Sequence, residues 1–117
     1  DLQYGDTRAE REAVREALGA TVERLPDIDN TKDIDGLASL IAACDLVVTT
    51  SNTTAHLAGA LGKETHLLVP PGLARMWCWF RDRDDSPIYA RMRLKRKAPK
   101  QSWDELVSAV AADLSAR

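Results

Sequence analysis

The sequence predicts an α/β fold in which helices cover a mostly parallel sheet. Two runs carry the prediction: residues 45–50 and 65–69 are apolar or β-branched at nearly every position, as in strands covered on both faces. The third observation is spacing. Strand and helix signals alternate at short intervals from Leu2 to Val69, the pattern of crossover helices between parallel strands. The 117 residues leave room for one domain, expected to run over 1–117.

Taken in order, Leu2-Gln3-Tyr4 reads as the end of a strand. Thr7 followed by Glu10 makes a capping box, and Ala9, Ala13, Val14, Ala17 and Leu18 recur at helical spacing until Gly19. Val22-Glu23-Arg24-Leu25 alternates and ends at Pro26, as a second short strand does. Asp33 caps a helix with Ile34, Leu37, Ala38, Leu40 and Ile41 on its buried side. Residues 45–50 form the clearest strand, which Ser51-Asn52 ends, and residues 53–61 form a helix closed by Gly62. Residues 65–69 form another buried strand, stopped by Pro70-Pro71-Gly72. Residues 73–89, dense in Trp, Arg and Asp, read as a long loop or short helix. Residues 91–95 alternate like a last strand, with Met92 and Leu94 on one side and Arg91, Arg93 and Lys95 on the other. Ser102 and Glu105 then form a capping box for a closing helix through Leu106, Val107, Val110, Ala111 and Leu114.

Composition removes several functional classes. With 44% hydrophobic and 29% charged residues the chain is globular rather than disordered. No apolar run approaches the roughly 20 residues of a membrane span. Cys44 and Cys78 cannot build a disulfide framework, and their apolar surroundings suit reduced thiols in a cytoplasmic protein. The net charge of −2 argues against a dedicated nucleic-acid binder. That sum hides a split: residues 1–35 carry ten acids and five bases, residues 71–117 six acids and ten bases. The basic run Arg91, Arg93, Lys95, Arg96, Lys97 and Lys100 reads as a charged edge strand; the interleaved aromatics of single-strand binders are missing. Cys44, His56, His66 and Cys78 lack zinc spacing, and there is no nucleophile elbow, Walker loop or dinucleotide fingerprint. No metal and no cofactor is therefore expected. The chain opens in mid-phrase with Asp1-Leu2-Gln3-Tyr4 and no Met, so it is expected to be a piece of a longer protein.

Open α/β sheets bind ligands beyond the carboxyl ends of their strands. Here that place carries Thr49-Thr50-Ser51-Asn52-Thr53-Thr54-Ala55-His56. Its hydroxyl and amide side chains meet the first turn of a helix, whose free N–H groups and positive dipole end attract a phosphate. His56 can add one hydrogen bond to a phosphate oxygen. The same residues also suit plain capping, with Ser51 or Asn52 as N-cap and the threonines satisfying turn backbone.

The stretch 45–63, from Asp45-Leu46-Val47-Val48-Thr49-Thr50 through Ser51-Asn52-Thr53-Thr54-Ala55-His56 to Gly62-Lys63, resembles the nucleotide-sugar-binding motif of heptosyltransferase-like GT-B glycosyltransferases. The resemblance is nearest to the branch fused to bacterial tetratricopeptide-repeat proteins. Met76-Trp77-Cys78-Trp79-Phe80, Asp84-Asp85-Ser86-Pro87-Ile88-Tyr89 and Met92-Arg93-Leu94 match that branch in order, as does Leu2-Gln3-Tyr4-Gly5-Asp6. The resemblance implies a Rossmann-like three-layer domain, half of a GT-B fold, holding a nucleotide diphosphate sugar. Ser51, Asn52, Thr53, Thr54 and His56 would contact the diphosphate; Gln3, Tyr4 and Trp77 would be base or sugar contacts. An amino-terminal acceptor domain or tetratricopeptide repeats would complete the parent protein, and these 117 residues alone would not turn over. Heptosyltransferases usually have Asp-Thr where this chain has Ser51-Asn52, and Ser51 lacks the charge with which an Asp meets sugar or acceptor. That departure, with the basic strand, motivates a second reading: a non-catalytic ligand-sensing or protein-interaction module on the same fold. Trp77 and Trp79 suit either stacking on a ligand or pinning their loop to the core.

Overall fold

A computed structural model describes residues 1–72 and 76–117. They form two compact units, Asp1–Leu40 and Ile41–Arg117.

In the second unit, the β-branched run becomes β1 (Leu46–Thr50), followed by α3 (Thr53–Ala60), β2 (Glu64–Val69), a 3-10 turn (Trp77–Trp79), β3 (Met92–Arg96) and α4 (Trp103–Ser115). The strands lie in the order β1-β2-β3 and both pairings are parallel, with Val47 opposite Thr65 and Leu67 opposite Leu94. This is the α/β architecture that the sequence predicts. Alternation along each strand divides the side chains between two faces. One face carries Leu67, Val69, Met92 and Leu94, packed with Ala55 of α3 and with Cys78 and Trp79 of the 3-10 turn. The other carries Leu68, packed with Leu106, Val110 and Leu114 of α4. Helix, sheet and helix make three layers.

The helix ends follow local chemistry. Asn52 caps α3, its side-chain oxygen accepting the Ala55 N–H at 3.2 Å. At the other end Gly62 takes φ 66°, and the Lys63 N–H reaches the Ala58 carbonyl at 2.9 Å, a Schellman closure that favours glycine. Ser102 and Glu105 form the expected capping box on α4. The outer edge of β3 is partly covered, because the Leu94 N–H donates to the Asp84 carbonyl and Asp85 bridges Arg93 in antiparallel fashion.

In the first unit, α1 (Arg8–Leu18) ends at Gly19 in the left-handed conformation as expected. Its expected capping box does not form. The Thr7 hydroxyl donates to the Asp1 carboxylate instead, and Asp6 accepts the Arg8 N–H at 2.9 Å. Asp33 accepts the Gly36 N–H at 2.8 Å at the start of α2 (Ile34–Ala43), the cap the sequence predicts. The strands expected at Leu2-Gln3-Tyr4 and Val22-Glu23-Arg24-Leu25 are absent. Tyr4 and Leu25 are exposed and Leu2 and Val22 only half-buried, so neither run contributes a fully buried residue. Side chains also take the backbone groups a ladder would use: Asn30 Nδ2 donates to the Asp1 and Gln3 carbonyls, and the Asp1 carboxylate accepts the Gln3 N–H. The loop or short helix expected over residues 73–89 contains the 3-10 turn, and its residues 73–75 lie outside the described residues.

Candidate functional site

The turn from β1 into α3 lies at the carboxyl end of a parallel strand. The side chains of Thr49, Thr50, Ser51 and Asn52 are engaged within the protein. The Ser51 hydroxyl accepts the Trp79 indole N–H at 2.8 Å and lies 3.3 Å from the Met76 sulfur. The Asn52 side chain caps the helix and is met by the Thr49 hydroxyl at 3.3 Å. Of the two threonines that open α3, Thr53 is exposed, whereas Thr54 is buried and offers a ligand little surface.

His56 is held by Trp79 and Tyr89. Its ring stacks on Trp79, with centroids 5.0 Å apart and planes at 22°, and meets Tyr89 edge-on at 5.9 Å. Its Nδ1 lies 2.9 Å from the Tyr89 hydroxyl. That engagement leaves Nε2 as the ring nitrogen for a ligand. Tyr89 is held by its own turn, where the Ser86 hydroxyl accepts the N–H groups of Ile88 and Tyr89 at 3.2 and 3.1 Å.

Small residues in α3 suit close approach to the sheet: Ala55 packs with Leu67, Val69, Met92 and Leu94, and Ala58 is fully buried. Gly59 serves a different contact. A Cβ at that position would come within 2.4 Å of the Tyr89 ring.

The two tryptophans part company. Trp79 is fully buried, whereas Trp77 is 81% exposed. Trp79 is thus the pin of its loop, and Trp77 keeps a free ring face beside Met76. Phe80, just after the turn, has φ 52° and ψ −173°, a region that costs a non-glycine residue on the order of 1–3 kcal/mol. The Arg96 guanidinium spans this stretch, donating to the Trp79 carbonyl at 2.6 Å and the Arg83 carbonyl at 2.7 Å.

Gln3 and Tyr4, the other expected base or sugar contacts, belong to the first unit and are both exposed. A hollow of about 320 Å³ lies beyond the carboxyl ends of β2 and β3, lined by Val69, Pro70, Pro71, Gly72, Arg96, Lys97 and Pro99. Another of about 530 Å³ lies beside β3, with Asp84, Asp85, Arg93 and Lys95 on its walls. There Arg83 grips Asp85 through Nε at 2.6 Å and Nη2 at 2.9 Å, which holds the Asp85 carboxyl below the usual carboxylate range. A carboxylate so paired is a poor proton acceptor. Among the described residues no three His, Cys, Asp or Glu side chains gather as a metal site. No described helix is long and apolar enough to cross a membrane.

Tyr89 and Gly59 are the site residues that local sequence reading passes over. Tyr89 stands 33 positions from His56, beyond any helical or strand periodicity, and Gly59 reads as one more small residue in a helix. The only local signal was the aromatic at the end of the Asp-Ser-Pro turn.

Known proteins add one partial likeness. Over 68 residues, 58% of its length, the chain is 43% identical to protein FlbA of Caulobacter vibrioides. The match takes in 11% of FlbA, so the chain corresponds to a small part of that relative. No family model matches the chain. No solved structure matches it either.

Proposed function

We propose that this chain is the donor-binding half of a glycosyltransferase that uses a nucleotide diphosphate sugar. The observation that carries the reading is the polar turn Ser51-Asn52-Thr53 between β1 and α3, with the oriented His56 ring beside it. In a parallel α/β sheet this is where ligands bind. The Ala55 amide is taken by Asn52, which leaves the amide and hydroxyl of the exposed Thr53 for diphosphate oxygens. His56 Nε2 supplies a further hydrogen bond. Trp77 offers an aromatic face to the base or the sugar.

In the reaction, the bond between sugar and diphosphate breaks as an acceptor hydroxyl attacks the anomeric carbon. Negative charge builds on the departing diphosphate, where the helix N-terminus and His56 stabilise it. A longer parent protein in the cytoplasm would supply the acceptor domain and the general base, so these 117 residues bind donor without transferring sugar. The test is sugar transfer or sugar-nucleotide hydrolysis by that parent with UDP-, GDP- and ADP-sugars. His56→Ala is expected to lower kcat/KM by about 100-fold, in the range of a lost oxyanion donor. A parent that handles no sugar nucleotide would overturn the reading.

One observation favours a second reading. Ser51 is spent on the Trp79 indole and Asn52 on the helix cap, as suits a module that senses a ligand or binds a protein without chemistry. A parent that binds sugar nucleotides with no turnover would select it.

A further inference from the structure

The contact between His56 Nδ1 and the Tyr89 hydroxyl decides what the opposite nitrogen can do. A neutral imidazole carries one ring proton. If the phenol donates to Nδ1, the proton stands on Nε2, which then donates to a ligand. If Nδ1–H donates to the phenol, Nε2 is an acceptor and serves as a base. The phenol O–H is the more acidic donor of the pair and the imidazole nitrogen the stronger acceptor, so O–H···N is favoured. Turning the ring over would put Cδ2 in place of Nδ1 and lose the Tyr89 hydrogen bond, so the ring held between Trp79 and Tyr89 keeps Nδ1 toward the phenol. The absence of a side chain at Gly59 lets the Tyr89 ring reach α3 at this height.

We propose that Tyr89 is a positioning residue that holds His56 with its proton on Nε2, making His56 a hydrogen-bond donor to an anionic ligand oxygen and not a base. The proposal deepens the diphosphate reading of the site and rests on it. It assigns His56 to the leaving group rather than to the acceptor hydroxyl, because a donor strengthens as charge grows on the diphosphate.

Long-range 15N–1H NMR of the His56 ring, at about pH 8 where an ordinary imidazole is neutral, tests the tautomer. The chain, Tyr89→Phe and His56→Gln are compared with and without inorganic pyrophosphate. Tyr89→Phe keeps the ring and loses only the hydroxyl, and matching amide spectra establish that it is folded. The expected result is an unprotonated Nδ1 and a protonated Nε2 that move toward tautomer-averaged positions in Tyr89→Phe. Pyrophosphate affinity falls about fivefold in Tyr89→Phe, as for one lost hydrogen bond. His56→Gln, whose amide can donate from near the Nε2 position, keeps most of the affinity and makes Tyr89→Phe silent. A protonated Nδ1, or ring signals unchanged in Tyr89→Phe, overturns the proposal. Equal pyrophosphate affinity in the chain and in Tyr89→Phe removes the positioning role while the diphosphate site stands. The expected tautomer with no response of Thr53 or His56 to pyrophosphate removes the diphosphate reading, and the donor role falls with it.

Discussion

The two faces of the sheet are built from different materials. The α3 face is aromatic: Trp79 lies at its centre, with His56, Tyr89 and Ser51 joined to it by ring contacts and a hydrogen bond. The α4 face has a thin apolar strip of Leu68, Leu106 and Val110, bordered by ion pairs of Glu64 with Arg117 and Lys95 with Asp113. Shape is specified on the first face, because stacked rings and a glycine under Tyr89 allow one arrangement. Charge satisfies the second, and exposed ion pairs tolerate rearrangement. The proposed donor site draws on the first face, where the His56 ring is held by Trp79 and Tyr89 and a preorganised hydrogen-bond donor keeps its aim.

The largest effect separates the two tryptophans. Trp79→Ala removes the centre of the aromatic face and is expected to cost about 3–5 kcal/mol. Trp77→Ala is expected to stay within about 0.5 kcal/mol. Urea unfolding of both variants measures the contrast, and equal losses would break it. Next comes Gly59→Ala. Alanine is the better helix former by about 1 kcal/mol, yet its Cβ would meet the Tyr89 ring, so a net loss of about 1–3 kcal/mol is expected. In a Tyr89→Ala background the same change should turn stabilising.

These contrasts also mark what the sequence made legible. The continuous β-branched runs announced β1 and β2, and the alternation of Met92 and Leu94 announced β3, because burial on one or both faces leaves a periodic trace. Leu2-Gln3-Tyr4 and Val22-Glu23-Arg24-Leu25 show strand-like patterns yet remain unpaired, since a strand needs a partner that local pattern cannot supply. Thr7 lost its expected cap to a carboxylate six residues away. The polar turn at Ser51-Asn52 was legible as a strand end meeting a helix start. The Tyr89 contact was not, because it depends on the path of an irregular connection. The same holds for which tryptophan is buried.

On the α4 face the effects are smaller. Ser102→Ala loses the capping box of α4 and should cost about 1 kcal/mol, read as a lower urea midpoint. His66 is buried there, and burial, ahead of the nearby Lys95 charge, pushes its pKa down. The unfolded chain therefore binds a proton that the folded chain resists. Stability should fall as pH drops below about 6.5 toward the lowered folded value, and His66→Gln should flatten that slope. The Glu64 carboxyl is held low by Arg117 and the Asp113 carboxyl by Lys95. Their contributions persist above the ordinary carboxylate range and are lost as pH falls through the lowered values. Lys95→Ala should change the urea midpoint only slightly, and less in high salt. A larger loss would show that charge specifies this face as firmly as shape specifies the other.

The proposed donor site is tested by a 15N-resolved NMR titration of the 117-residue chain with UDP, GDP and ADP. Saturable shifts are expected at the Thr53 amide and the His56 ring, with the α4 face silent. No response there at about millimolar nucleotide, the weakest affinity of interest, or a response confined to Arg93 and Lys95, would contradict it.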